Sequence, residues 1–289
     1  RDALVRVGYV GVCGSDTALF ANGYIGQSVV DGPMVLGHEA SGTVVAVGSG
    51  VTGLKPGDRV ALEPGVPCSE CEFCRRGRYN LCPQVYFWAS LPVKEGAFQE
   101  YVRHPAAFCH LLPENVGLVE GALIEPLSVG FHAVMQARLG SSAVVLGAGC
   151  IGLVTMLCLK AAGVRDVVVV DVVENRLDVV RRLGAQAINA TSGDLFAALE
   201  AVFRSGPDAV FETAGNAVTM DQAIRIAKRG GTVTLVGYTK DGRADLNVNL
   251  LIDKELTIRT VFRYRNIYPR AIAAVSSGAI PLREIASDI

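Results

Sequence analysis

The sequence predicts an α/β protein of two domains: a mainly β domain carrying a cysteine-stapled lobe, then a domain built on a doubly wound parallel sheet. Three observations carry this expectation. Residues 1–125 alternate short β-like runs with Gly and Pro turns. After Pro126 the pattern becomes strands alternating with helices, the mark of βαβ units. Four cysteines crowd between Pro67 and Pro83.

In the first domain Val5 to Val12, Gly42 to Val47, Arg59 to Leu62 and Gln99 to Val102 are expected as strands between turn formers. In the second, strands are expected at Ala143 to Leu146, Val167 to Val170, Ala209 to Glu212 and Thr232 to Val236, with helices near 150–162, 174–183 and 216–227. The expected domains are therefore 1–125 and 126–262, with 263–289 starting a return to the first.

The chain's 289 residues, 50% hydrophobic and 19% charged, suffice for two ordinary cores. Its 27 basic and 28 acidic side chains balance to −1 without a Lys/Arg run, which argues against a nucleic-acid or anionic-membrane partner. Mean hydropathy is +0.35, and Ala143 to Leu159 is the most apolar stretch. Its glycines divide it into strand, turn and helix, each too short to span a bilayer. The opening Arg1 to Val7 lacks the apolar core of a signal peptide, and cysteines at metal-type spacing point to a reducing cytoplasm.

Cys68, Cys71, Cys74 and Cys82 form a C-x2-C-x2-C-x7-C cluster. Neighbours so close cannot pair as unstrained disulfides, whereas four thiolates within reach of one ion make a closed, structural zinc site. A second constellation is mixed: Cys13 in Cys13-Gly14-Ser15-Asp16, then His38 and Glu39 after Gly37. A thiolate, an imidazole and a carboxylate leave zinc an open position, the arrangement of a working metal. Asp16 is expected to accept the free ring N–H of His38.

A third signature begins with the strand Val144-Val145-Leu146, continues through Gly147-Ala148-Gly149-Cys150-Ile151-Gly152, and enters an apolar helix. G-x-G-x-x-G between strand and helix binds a dinucleotide: Gly147 allows the turn, Gly149 the approach of pyrophosphate, and Gly152 helix–strand packing. Asp171 closes the next strand, where a carboxylate bonds ribose hydroxyls and repels a 2′-phosphate, favouring NAD over NADP. Arg176 covers the adenine, neutralises a phosphate, or is a solvated helix-start arginine. Cys109, Cys150 and Cys158, set among apolar neighbours, are expected as small buried hydrophobes, and His104, His110 and His132 as structural residues.

These signatures, in this order, resemble the zinc-containing medium-chain alcohol dehydrogenases over nearly the whole chain. Glu63-Pro64-Gly65, Gly77 to Cys82, Glu125-Pro126-Leu127-Ser128-Val129-Gly130 and Val261-Phe262-Arg263-Tyr264 are similar to the polyol branch, the sorbitol and xylitol dehydrogenases. The resemblance implies a GroES-like catalytic domain with one catalytic and one structural zinc, and a Rossmann domain for NAD. It places Glu125 near the catalytic metal and at the substrate, and Arg263 and Tyr264 at the polyol. Ile151, Asp171, Arg176, Val236, Gly237, Tyr238, Val261, Phe262 and Arg263 would line the coenzyme cleft. Pro126 is expected to start a helix and so to fix Glu125. The family is longer at both ends, which suggests that terminal segments lie outside this sequence, and its members are dimers or tetramers.

One position departs from the branch. Where its members usually continue Cys-Gly-Ser-Asp with His and a substrate-binding Tyr, this chain reads Thr17-Ala18-Leu19-Phe20, and Leu19 cannot make that hydrogen bond. The expected reaction is oxidation of a secondary polyol hydroxyl to a ketone, with Ser15 passing the proton outward and NAD taking the hydride. Threonine or butanediol dehydrogenase is the alternative enzyme. A zinc- and nucleotide-binding homologue without turnover is the alternative outside catalysis.

Overall fold

Alternation along the first strand, Asp2–Gly11, builds the first sheet: Ala3 and Val5 are fully buried, while Leu4 and Arg6 face outward. The computed structural model describes residues 1–287 except Gln27 and Asp241. It divides the chain into two units, one of Arg1–Ser128 with the chain from Arg265 onward, the other Val129–Tyr264.

In the first unit five antiparallel strands lie in the order Tyr101–Pro105, Asp2–Gly11, Glu39–Val47, Arg59–Leu62, Cys109–Leu111. Their inward residues, among them Val5, Val44, Val60, Leu62 and Val102, pack with Trp88 and Ala97 into one core. Register shifts between Leu4 and Val5 and between Val7 and Tyr9 mark irregularities that bend the first strand. The helix Gly14–Asn22, which no apolar periodicity announces, ends at Gly23 in the left-handed conformation. It buries Leu19 and leaves Phe20 exposed.

Pro126 does not start a helix. It lies inside the helix Leu118–Gln136, where its missing N–H deprives the Ala122 carbonyl of its usual partner. An interior proline is easily mistaken for a boundary because it is favoured at the first helical position. Among the described residues this helix is long and apolar enough to cross a membrane, and 67% of its most apolar window is buried inside the protein.

The second unit is a parallel six-stranded sheet in the order Gln186–Asn189, Asp166–Asp171, Ser142–Leu146, Ala209–Glu212, Thr232–Leu235, Thr257–Thr260. The two outer strands carry no apolar run to announce them: their composition, Gln-Ala-Ile-Asn and Thr-Ile-Arg-Thr, is too polar for an inner strand. The central strands bury Val144, Leu146, Val168, Val170, Val210 and Val233. Strand order reverses between Ser142–Leu146 and Ala209–Glu212, which makes the ends of these two strands the switch point where such sheets bind ligands. Helix ends are stopped by lysines: Lys160 donates to the carbonyls of Leu183 and Gly184, and Lys254 to those of Ile224, Arg225 and Ala227.

Cys109 and Cys158 are buried, but Cys150 is exposed, contrary to expectation. It is the first residue of the helix Cys150–Ala161, ahead of the turns that pack on the sheet.

Candidate functional site

The chain between Gly65 and Phe87 has little regular structure, and its cysteines converge instead of pairing. Zinc bonds of about 2.3 Å at tetrahedral angles require sulfurs about 3.8 Å apart. The Cys71 and Cys74 sulfurs are 3.4 Å apart, Cys68 and Cys82 3.5 Å, Cys68 and Cys74 3.9 Å, and all four lie within 4.8 Å of one another. The donor set therefore fits zinc. Backbone N–H groups of Glu70 and Cys71 hold the Cys68 thiol down at about 7, and burial beside the other thiols pushes Cys74 up to about 12.

Cys13, His38 and Glu39 also come within 4.8 Å of one another. Cys13 immediately precedes the helix Gly14–Asn22, and Glu39 starts its strand directly opposite Gly11. A Cβ on Gly11 would stand 2.2 Å from the Glu39 carboxylate, so a side chain there would push that carboxylate out of its present place. Burial, then the charge of Glu39, pushes the Cys13 thiol up to about 12, and burial holds Glu39 up at about 7. Such donors suit a dication, whose charge reverses both effects. Glu125 is buried, and its charge also raises Cys13. The Ser15 hydroxyl and N–H act on the Cys13 thiol in the opposite direction, lowering it against the effect of burial.

Asp16 does something other than the expected hydrogen bond to His38. Its carboxylate lies 3.7 Å from the ring nitrogen, beyond hydrogen-bond length. Its oxygens accept instead the N–H of Cys13 and the N–H of Gly37, each at 3.0 Å. One buried carboxylate thus joins the two chain segments that carry the ligands.

A polar cluster around Glu63 was not singled out as a site by its sequence. The buried Glu63 carboxylate accepts the Tyr79 hydroxyl at 2.6 Å and faces His110 Nε2 at 2.9 Å, and its carbonyl meets His104 Nε2 at 2.8 Å. Asn266 donates its N–H to the Tyr79 hydroxyl and its side-chain amide to Gly77. The cluster secures the cysteine lobe to the returning C-terminal segment within the first unit. Its sequence signals were the Glu63-Pro64-Gly65 triplet and the run Gly77 to Cys82, which carries Tyr79.

In the second unit the remaining site residues follow strand ends: Gly147–Gly152 after Leu146, Asp171 at its own strand's end, Val236, Gly237 and Tyr238 after Leu235, and Val261 to Tyr264 after Thr260. Parallel strands put these ends along one edge. Gly147 has φ +106°, and a Cβ on Gly152 would meet the Gly147 carbonyl at 1.9 Å. Gly149 faces open space, and no side chain caps the helix that begins beside it, so the turn fits a dinucleotide phosphate. The Arg263 guanidinium lies over the Phe262 ring at 4.7 Å and its charge acts on Tyr238, while Tyr264 is buried.

Asp171 is heavily engaged by the backbone around it. It accepts N–H bonds from Ala148 at 2.6 Å, Val172 at 2.7 Å and Val173 at 2.9 Å, and Arg176 stands 3.9 Å away. A carboxylate has about four acceptor positions, so one remains for a ribose hydroxyl.

Residues 1–114 match the alcohol dehydrogenase GroES-like domain, and residues 150–277 the zinc-binding dehydrogenase domain. The chain is 46% identical to a zinc-type alcohol dehydrogenase-like protein of Escherichia coli, over 100% of this chain and 84% of that protein. It is 44% identical to sorbitol dehydrogenase of Gallus gallus, over 99% and 81%. An E. coli oxidoreductase of unknown specificity superposes with a TM-score of 0.93 at 45% identity, covering 99% of this chain and 83% of that one. The chain belongs to the zinc-containing alcohol dehydrogenase family, an oxidoreductase of GroES-like and Rossmann folds.

Proposed function

We propose that the protein oxidises a secondary hydroxyl of a polyol, of the sorbitol or xylitol kind, to a ketose, with NAD as hydride acceptor. The observation that carries this reading is the mixed cluster of Cys13, His38 and Glu39, braced through Asp16. Cys13, His38 and Glu39 would hold a zinc ion, which would supply Lewis acidity toward a substrate hydroxyl, and NAD would supply the hydride acceptor. Ser15, two residues beyond Cys13, supplies a hydroxyl that passes the proton outward, and Glu125 adds a buried carboxylate whose charge acts on Cys13. Arg263 and Tyr264 orient the polyol. Gly147, Gly149 and Gly152 hold the pyrophosphate, Asp171 selects NAD, and Ile151, Arg176, Val236 to Tyr238 and Val261 to Phe262 line the coenzyme. Cys68, Cys71, Cys74 and Cys82 hold a structural zinc.

The partner is a small polyol, with neither nucleic acid nor membrane in the reaction. The metal-type spacing of the cysteines favours the cytoplasm, and family likeness favours a homo-oligomer, a dimer or tetramer. The test is NADH formation, read by absorbance, with sorbitol, xylitol, threonine and 2,3-butanediol. Turnover of the polyols above the other two is expected. Preference for threonine or butanediol would replace the substrate class, and no turnover with any of the four would favour the non-catalytic homologue.

A further inference from the structure

We propose that Glu212 is a positioning residue for the nicotinamide half of the dinucleotide, holding the turn Thr213–Gly215 in the shape which that half requires. The inference rests on the dinucleotide reading above. Glu212 ends the strand Ala209–Glu212 and is fully buried. Its Oε1 gathers three donors, the N–H of Ala214 at 3.0 Å, the N–H of Gly215 at 2.8 Å and the Thr219 hydroxyl at 2.7 Å.

The turn so held touches both neighbouring strand ends. The Thr213 hydroxyl lies 2.9 Å from the Leu146 carbonyl and 3.2 Å from that of Gly147. The Glu212 carbonyl accepts the N–H groups of Val236 and Gly237. A Cβ on Gly237 would stand 2.3 Å from the Gly215 nitrogen, so the turns 213–215 and 236–238 meet backbone to backbone. Displacement of one passes directly to the other.

Strand order identifies the ligand part concerned. The glycine turn after Leu146 takes the pyrophosphate, and Asp171, on the neighbouring strand to one side, marks the adenosine half. The other half must extend the opposite way, over the strands that end at Glu212 and Leu235.

Turn stability alone explains this carboxylate poorly. Oε2 is buried and has no hydrogen-bond partner among the described residues, which costs stability. Three donors on one oxygen and none on the other make an expensive brace, consistent with a turn whose shape matters to a ligand.

The test compares NADH and AMP binding by calorimetry on the zinc-loaded full chain. Glu212→Ala should weaken NADH about tenfold or more, as expected for loss of hydrogen bonds to a charged group, and AMP less than about twofold. Glu212→Gln, which can present a carbonyl oxygen in the place of Oε1, should restore NADH affinity to within about threefold of the parent. Equal weakening of NADH and AMP, or none, overturns the proposal. If Glu212→Ala does not fold, Thr219→Val removes one donor to Oε1 and should weaken NADH alone by about threefold, and unchanged NADH binding would be equally fatal. A parent that binds neither NADH nor NADPH defeats the dinucleotide reading itself, before any variant is compared.

Discussion

Asp16 accepts the N–H of Gly37 at 3.0 Å across twenty-one positions of sequence, and through that bond it fixes the residue preceding His38. Its other oxygen fixes Cys13 by the backbone. The carboxylate therefore aligns two ligand-bearing segments without itself lying at hydrogen-bond distance from the His38 ring.

Asp16→Ala should accordingly lower zinc affinity at the Cys13 cluster by about 10–100-fold, the usual cost of removing support from metal ligands. The four-cysteine cluster should keep its ion. Zinc counted per chain after dialysis against a weak chelator tests this, and retention of a full complement would reduce Asp16 to a helix-start residue.

Two ligand clusters imply about two zinc ions per chain, and their surroundings imply different consequences of loss. Cys71→Ser should lower the melting temperature, because the lobe of short elements between Gly65 and Phe87 is held by those sulfurs. Cys13→Ser should abolish turnover with a smaller thermal effect. Elemental analysis yielding one ion in the parent would remove one of the two assignments.

Asp171→Ser should narrow the ratio of kcat/KM for NAD over NADP. One available acceptor position supports one charged hydrogen bond to ribose, about 1.5–3 kcal/mol, or roughly tenfold or more in kcat/KM for NAD. Part of any loss will come from the Ala148 N–H, which the same carboxylate holds. A parent that already prefers NADP would transfer the selection to Arg176.

What the sequence made legible was chemistry written at short range. Cysteines three residues apart, or a G-x-G-x-x-G between strand and helix, signal their geometry because nearby chain positions must be close in space. The Asp16–Gly37 bond and the Glu63–His110 pair, 47 residues apart, depend on strand pairing that no local pattern encodes. Pro126 misled for the converse reason: its local preference is for a helix start, and the burial of Ile124 and Leu127 on either side outweighs it.

Glu125, inside that buried helix and not at its start, has no helix-terminus role to lose. Glu125→Gln should therefore lower kcat while leaving the melting temperature nearly unchanged, since the amide keeps the size and removes only the charge felt at Cys13. Unchanged turnover with lost stability would take Glu125 out of the active site.

His104 makes the stability of the first unit depend on acid. Burial holds its pKa down at about 4, and the ring packs tilted against Trp88 with centroids 4.4 Å apart while Nε2 meets the Glu63 carbonyl. The ring must be neutral to stay buried, with Nε2 as donor. Between pH 4 and the ordinary histidine value of about 6.5 the unfolded chain binds more protons than the folded one, so stability falls as pH falls. The contribution is complete above about pH 6.5 and gone near pH 4, with a ceiling of about 3 kcal/mol. His104→Gln keeps a donor for the Glu63 carbonyl but does not titrate. Denaturant midpoints measured from pH 7.5 to 4.5 should fall more steeply for the parent than for this variant, and parallel curves would show that His104 is not the group responsible.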